Sequence, residues 1–438
     1  MPFVTSSQGP GPLPDDRDDR AQREGRADWE GRAGWEGRAG WEGSVRLTPP
    51  PEHTTALHGT GRHTTGRHDP DPDQRAVVEL PQGSGPVVVL GAAGTGKTTV
   101  LIRTLLERVR RDGVPPDGLL VLAPSRLAAA ALRDRISAGL ERTAGEPAAR
   151  TPHSYAFDLL RRARLRDGLP APRLLSGPEQ DRVLAELLAG HAEGLGRVPT
   201  WPEDIDDPVR ALRGFREELR DLLMRAVERG LGPADLRHLG RLHDRREWTA
   251  ASTVFEEYLQ VTALSTPGAL DPAGIVDAAA RLLEADSELL ATERDRRLLV
   301  AVDDAQELTA AAHRLVGLLA AGGRDLLLVG DPDATTQGFR GALPRGLADA
   351  ADTLRCADGA PARTVVLRTA HRHPPALRAV CERVCSRIGS SGRVSHRRPA
   401  PARGEPAGGA VQVRLLATAA QEGAYIAQAL RRHHLQGR

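Results

Sequence analysis

One run of nine residues constrains the fold more than the rest of the chain: Leu90-Gly91-Ala92-Ala93-Gly94-Thr95-Gly96-Lys97-Thr98. It follows Val87–Leu90, a short β-branched stretch that reads as a buried parallel strand, and opens a helical pattern through about Arg111. A strand, a glycine-rich loop and a helix in that order aim backbone N–H groups and the positive helix end at one point, where an anion is stabilised. Gly91 to Thr98 fits the phosphate-cradling pattern in full. In that pattern the Lys97 ammonium reaches the β- and γ-phosphates of ATP and the Thr98 hydroxyl ligates Mg²⁺. Gly91, Ala92, Ala93, Gly94, Thr95, Gly96, Lys97 and Thr98 are therefore the candidate nucleotide-binding residues, and Thr99 and Arg103 on the helix they open are taken with them. A glycine-rich turn with no ligand is the competing reading, but a bare turn does not require its flanking strand and helix.

Composition sharpens this. The 438 residues include 60 basic ones, and Lys97 is the only lysine among them. A planar guanidinium does not replace a compact ammonium in a tight phosphate pocket. An otherwise all-arginine chain that keeps one lysine, here, points to this site. Net charge is +2, so any nucleic-acid binding must come from local patches. Cys356, Cys381 and Cys385 are too few for a disulfide framework and supply too few ligands for a zinc site. No secretory leader or long apolar stretch is legible, which predicts a cytoplasmic location and no membrane partner.

Residues 1–72 are rich in Gly, Pro, Asp, Arg and His and predict a low-complexity, disordered tail. Trp29, Trp35 and Trp41 recur every six residues, and His53, His58, His63 and His68 every five. The Trp spacing fits neither a helix stripe nor a strand face, and the His row reads as repeat expansion in a disordered tail more readily than as a metal site. From Asp73 strands and helices alternate, which predicts an α/β fold with a parallel sheet. Leu119–Ala123 reads as a strand and Arg126–Leu140 as a helix. Residues 166–293 turn wholly helical and predict an insertion between two parts of the α/β unit, 73–165 and 294–355. Residues 356–438 then predict a further, partial α/β unit with strands at Thr364–Leu367 and Val411–Leu416 and a helix at Ala420–Arg432.

A second chemical signal is the strand Leu298–Val302 ending in Asp303-Asp304. At the carboxyl edge of a parallel sheet such a pair faces the ligand crevice. Asp303 is then the candidate Mg²⁺ ligand and Asp304 the residue that orients or deprotonates water. An acidic pair before a helix is also a common N-cap; the upstream phosphate loop favours the catalytic reading.

Taken together, these segments resemble the UvrD/Rep-like superfamily 1 DNA helicases. Asp73-Gln74-Arg75 is similar to their adenine-reading glutamine motif, and Ala123-Pro-Ser125-Arg126-Leu-Ala-Ala to a DNA-contact motif. Thr151-Pro-His153-Ser-Tyr155 resembles their Thr-Phe-His-Ser element, and Val302-Asp-Asp-Ala-Gln306-Glu their acidic box. Gly330-Asp-Pro-Asp-Ala-Thr-Thr-Gln-Gly-Phe339-Arg340-Gly-Ala342 resembles the third motif, and Leu367-Arg-Thr-Ala-His-Arg372 the segment that donates an arginine to the γ-phosphate. The resemblance implies a RecA-like P-loop NTPase with a helical insertion and the start of a second RecA-like domain. It implies ATP and Mg²⁺ as cofactors, Lys97, Asp304 and Arg372 as catalytic residues, and Gln74 and Gln306 at the nucleotide. Ser125, Arg126, His153, Phe339 and Arg340 become DNA contacts. It also implies 3′–5′ helicase activity, single-stranded or end-containing DNA as partner, and nucleoid association. The stretch Arg213-Gly-Phe-Arg-Glu-Glu-Leu-Arg-Asp-Leu-Leu most resembles the AdnA-like subunit of the actinobacterial AdnAB-type helicase–nuclease, which implies a second helicase–nuclease subunit as partner.

The chain departs from the family pattern in several places. Asp304 replaces the catalytic glutamate, one methylene shorter. Ala334-Thr-Thr-Gln337 replaces Gln-Ser-Ile-Tyr, so the γ-phosphate glutamine and a base-stacking tyrosine are gone. Ala123 replaces a phenylalanine, and the chain stops early in the second domain, before the later motifs and any nuclease domain. The leading expectation is an ATP-dependent helicase or translocase subunit of DNA repair or recombination, incomplete as a motor on its own. The alternatives are a non-motor ATP-binding structural subunit of an end-processing complex and, from the phosphate loop alone, a small-molecule kinase.

Overall fold

The computed structural model describes residues 69–140, 148–343, 345–389, 394–402 and 411–436. The repeats holding Trp29, Trp35, Trp41, His53, His58, His63 and His68, with most of the expected 1–72 tail, lie outside the described residues. The described residues fall into two units, a larger one within 69–402 and a smaller one of 411–436.

The larger unit is built on six strands: β1 (Pro86–Gly91), β2 (Leu119–Leu122), β3 (Ala149–Arg150), β6 (Leu299–Val302), β7 (Leu326–Gly330) and β8 (Arg363–Leu367). They pair in the order β3-β2-β6-β7-β1-β8, every pair parallel. A two-residue pair, β4 (Arg173–Leu174) with β5 (Ala269–Leu270), lies outside this sheet. Successive residues of a strand face opposite sides, and the sheet's core divides accordingly. Val88, Leu90, Leu120, Leu122, Val300, Val302, Leu326 and Leu328 belong to one buried cluster. Val87, Val89, Leu119, Val121, Leu299, Ala301, Leu327 and Val329 belong to the other. Helices cover both faces, so the strands are apolar throughout rather than alternating. Helices α1 (Pro72–Val78), α2 (Lys97–Arg110) and α3 (Arg126–Gly139) contribute to the second cluster. The first is covered by α4 (Pro152–Arg166), α10 (Pro272–Ala285), α11 (Ser287–Arg296), α12 (Ala310–Ala320) and α13 (Gly346–Thr353). Each fully buried Leu or Val stabilises by about 1.5–3 kcal/mol before entropy is counted.

Between α4 and α10 the chain runs through α5 (Gly177–Ala192), α6 (Asp207–Ala211), α7 (Arg213–Glu228), α8 (Pro233–Leu242) and α9 (Arg246–Ser265). Leu184, Phe215, Leu219, Leu223, Val254, Phe255 and Tyr258 are buried there. A polar knot fixes this packing: the buried Asp271 carboxylate accepts from Gln180 and, at 2.8 Å, from the Tyr258 hydroxyl.

Two expectations need correction. The strand near 364–367, assigned to the unit beginning at 356, is β8, the sixth strand of the main sheet, in register with β1. The exposed flank of β1 accepts it, and sequence alone does not identify which edge a strand joins. Residues 411–416 form no strand; Val413 is 80% and Leu415 99% exposed. A strand needs a partner to take its N–H and C=O groups, and 411–416 pair with none of the described residues. In the smaller unit α15 (Ala419–Leu435) is capped by Thr418 and buries none of its residues. Beyond β8 come β9 (Thr369–Ala370), α14 (Pro375–Arg387) and β10 (Ala400–Pro401), with β9 paired to β10. No described helix is long and apolar enough to cross a membrane.

Candidate active site and nucleic-acid interface

Because every strand of the main sheet is parallel, all carboxyl ends open on one edge. The loops there carry the residues the sequence singled out. After β1, Gly94 and Gly96 take φ of 84° and 86°, the left-handed region open to glycine. An added Cβ at Gly96 would lie 2.5 Å from Gln74 Nε2, and at Gly91 it would collide with Thr95 Oγ1. The loop is thus both bent and closely approached. The Lys97 ammonium curls back and donates to Gly91 O at 2.9 Å and Ala92 O at 3.0 Å. Burial pushes its pKa down, Asp331, Asp304 and Asp303 pull it up, and Arg372 opposes them. Ala93 is exposed, and Thr99 and Arg103 are half-buried on the first two turns of α2.

Thr98 Oγ1 lies 3.0 and 3.2 Å from the two oxygens of Asp303. Asp303 is 7% exposed, and burial with the neighbouring Asp304 charge lifts its pKa to about 6. A buried carboxylate beside a second carboxylate is a donor set short of positive charge, and with Thr98 it fits a divalent cation. Asp304 has φ 48°, one of two non-glycine residues described with positive φ. A short polar side chain tolerates that conformation better than most, though still at a cost. Gln306 is buried and bridges inward: its Nε2 donates to Asp304 Oδ1 at 3.3 Å, and its Oε1 accepts from the Asp331 N–H at 3.1 Å. It thereby ties the end of β6 to the end of β7.

Gln74, from α1, donates to Thr95 O at 3.1 Å and forms a capping box with Asp71. The Asp73 carboxylate accepts from the Arg368 backbone N–H at 3.0 Å and pairs with its guanidinium, which lowers the Asp73 pKa. His371 donates its backbone N–H to Gly94 O at 2.9 Å and its ring faces Asp71 at 2.8 Å. Arg372 and His373 follow; a Cβ on Gly94 would sit 3.4 Å from Arg372 Cβ and 3.3 Å from His373 Nδ1. Segment 368–373 therefore closes over the phosphate loop, bringing Arg372 to Lys97.

The second group of candidates lies along the same edge. Ser125 caps α3, its hydroxyl accepting from Ala128 N–H at 3.1 Å, and Arg126 is exposed beside it. His153 sits in the first turn of α4, also exposed. Desolvation by its neighbours lowers its pKa, as do the charges of Arg225 and Arg126. Phe339 is 61% exposed with Arg340 stacked over its ring at 5.3 Å. Two helix N-termini, the cationic side chains of Arg126 and Arg340, the His153 imidazole and one exposed ring thus line a stretch that suits a polyanion with stackable bases.

Several participants escaped the sequence reading. Glu307 accepts from Thr336 N–H at 2.7 Å, its hydroxyl at 2.8 Å and Gln337 N–H at 2.8 Å, so it moulds the loop that presents Phe339. His396, 1% exposed, lies 3.1 Å from Asp333 and 3.4 Å from Asp331, and Arg397 grips Asp333 through two bonds of 2.7 and 2.8 Å. Nothing in the local pattern near 396 announces this; only the fold brings it to 331–333. Glu307 carried a signal, as the last residue of the acidic box.

The family model described as the UvrD/REP helicase N-terminal domain matches residues 71–355. The chain is similar to the ATP-dependent DNA helicase UvrD1 of Mycobacterium tuberculosis, 27% identical over 300 residues, covering 64% of this chain and 35% of that protein. It is 26% identical over 276 residues to DNA helicase II of Escherichia coli, covering 61% and 34% of the two chains. Against the ATP-dependent DNA helicase PcrA of Staphylococcus aureus it is 26% identical over 263 residues, covering 59% and 33%. The chain spans about a third of the length of the curated relatives it matches.

Proposed function

The chain belongs to the UvrD/REP helicase family, and from that premise we propose that it is an ATP-hydrolysing, single-strand-binding subunit of the helicase or translocase type, acting in DNA repair or recombination. The observation that carries the reading is the Thr98–Asp303 pair beneath the phosphate loop, on the sheet edge that also presents Arg126 and His153.

In this reading Lys97 leaves the carbonyls of Gly91 and Ala92 for the β- and γ-phosphates. Backbone N–H groups of 92–96 take the remaining phosphate oxygens, and Gln74 lies on the side where the base sits. Thr98 and Asp303 would hold Mg²⁺, which would supply positive charge against the phosphate oxygens. Asp304 aligns the attacking water and takes its proton; Gln306 fixes the Asp304 carboxylate and reports its position to Asp331. Arg372 stabilises charge on the γ-phosphate. The 3′–5′ direction, the nucleoid-associated cytoplasmic location and a second helicase–nuclease subunit of AdnAB type are finer proposals resting on family likeness alone.

Ala334 favours a second reading. It stands where the family carries the glutamine that senses the γ-phosphate, so nucleotide state and strand grip are weakly linked here. A non-motor, ATP-binding structural subunit of an end-processing complex meets that description. ATP hydrolysis by the purified chain, with and without oligothymidylate and beside Lys97→Ala, separates the two. Turnover that rises with DNA and vanishes in Lys97→Ala supports the motor reading. Nucleotide binding with no DNA-stimulated turnover rejects it for the structural one.

A further inference from the structure

The inserted helix α7 ends against the loop that presents Phe339, and its last turn carries an ion pair of unusual make-up. Arg225 Nη2 lies 2.8 Å from Glu228 Oε1, and Arg225 Nη1 donates to Phe339 O at 3.3 Å. The pairing is incomplete on both sides. Arg225 Nε and Glu228 Oε2 are buried without a hydrogen-bond partner. The Glu228 side chain is 7% exposed and that of Arg225 25%, so the guanidinium has the open face. Glu228 Oε2 packs onto Gly341, where a side chain would collide with it. Arg229, Asp221 and Arg340 complete the charged surroundings. On its other side Arg225 is close enough to His153 for its charge to act there together with that of Arg126.

A carboxylate with one buried oxygen unmatched is a poor partner for a guanidinium, because its desolvation is incompletely offset. A phosphodiester arriving from solvent presents two anionic oxygens to the planar fork and does not need burying. We propose that Arg225 is a further phosphate ligand on the single-strand path marked by Arg126, His153 and Arg340, and that Glu228 occupies it until the strand displaces the carboxylate. This rests on the strand-binding reading above. It makes the inserted helix a wall of the path rather than a passive appendage, and brings strand occupancy to the loop that Glu307 moulds.

The two partners predict opposite signs. Binding of a fluorescein-labelled oligothymidylate to the full chain is followed over a salt series. Arg225→Ala lowers affinity roughly tenfold, the size of one charged hydrogen bond, and reduces the salt slope by about 0.7, the value for one phosphate on a single strand. Glu228→Gln, which keeps the shape and removes the competitor, raises affinity several-fold. The double variant leaves no orphaned buried charge and is expected to bind as weakly as Arg225→Ala, which keeps the test readable if that variant unfolds. Loss of affinity in both single variants, or an unchanged slope in Arg225→Ala and the double variant, overturns the proposal. Arg126→Ala runs alongside: if it weakens binding and Arg225→Ala does not, the strand path stands and Arg225 is not part of it. No binding by the unmutated chain overturns both.

Discussion

The nucleotide end and the strand end of the same sheet edge are built on different principles. Around Lys97 the positions are set by backbone: two left-handed glycines, a Gln74 amide packed on Gly96, and a Thr98 hydroxyl fixed on a buried Asp303. Around Arg340 they are set by charge. Arg126, His153, Phe339 and Arg340 are exposed, and an incompletely matched Arg225–Glu228 pair abuts the Phe339 loop. A site fixed by backbone tolerates almost no change of shape. A site fixed by charge tolerates shape changes and responds in graded steps to charge and salt.

The largest expected effect breaks the backbone side. Gly96→Val places a β-branched residue at φ 86° and its Cβ against Gln74 Nε2. Left-handed strain alone costs about 1–2 kcal/mol, and displacing Gln74 adds to it. ATP affinity by calorimetry should fall by roughly two orders of magnitude, while oligothymidylate binding stays within twofold. Equal losses of both ligands would show one coupled site and end the comparison. A smaller effect comes from the other side. Phe339→Ala should weaken strand binding by about 1–3 kcal/mol, the contribution of one stacked base, with the salt slope and ATP affinity unchanged. A fall in ATP affinity there would mean that the loop held by Glu307 transmits to the nucleotide more strongly than the Ala334 substitution suggests.

The same division decides what could be read before the fold was known. Val87–Thr98 and Leu299–Asp304 are local: a strand, a turn and its chemical groups lie within a dozen residues, so pattern and spacing suffice. The sheet order is not local. Strand β3, two residues long, carries no pattern of its own, and β8 reads equally well as the start of a new unit until β1 is seen to lack a neighbour. Val411–Leu416 has strand composition and no strand, because pairing depends on a partner rather than on propensity. Gln306 is singled out by its box, but its contacts run to Asp304 and Asp331, which only the fold supplies. His396 and Arg397 lie over sixty residues from Asp333 in sequence, and arginine-rich surroundings hide them.

The smallest expected effect tests whether charge at the strand end is held at a cost. Burial lifts the Glu228 pKa from the ordinary 4.5 to about 7, against the opposing pull of Arg225 and Arg229 and with a small push from Asp221. A carboxyl whose folded value is raised binds more protons in the folded chain than in the unfolded one between those two values. Stability from this group therefore falls as pH rises through the window from 4.5 to about 7, the reverse of an ordinary paired carboxylate. Above it the ionised group destabilises the fold by roughly 2 kcal/mol, less than the full linkage value because a real interior relaxes and admits water around a buried charge. Glu228→Gln removes that penalty. Urea unfolding should find the variant more stable than the parent at pH 8, and the difference should shrink towards zero near pH 5. A variant that is less stable at pH 8 would mean that the Arg225–Glu228 pair holds the inserted helix to the Phe339 loop with net gain. The strand end would then be as rigidly built as the nucleotide end, and Glu228 would be a brace rather than a stand-in for phosphate.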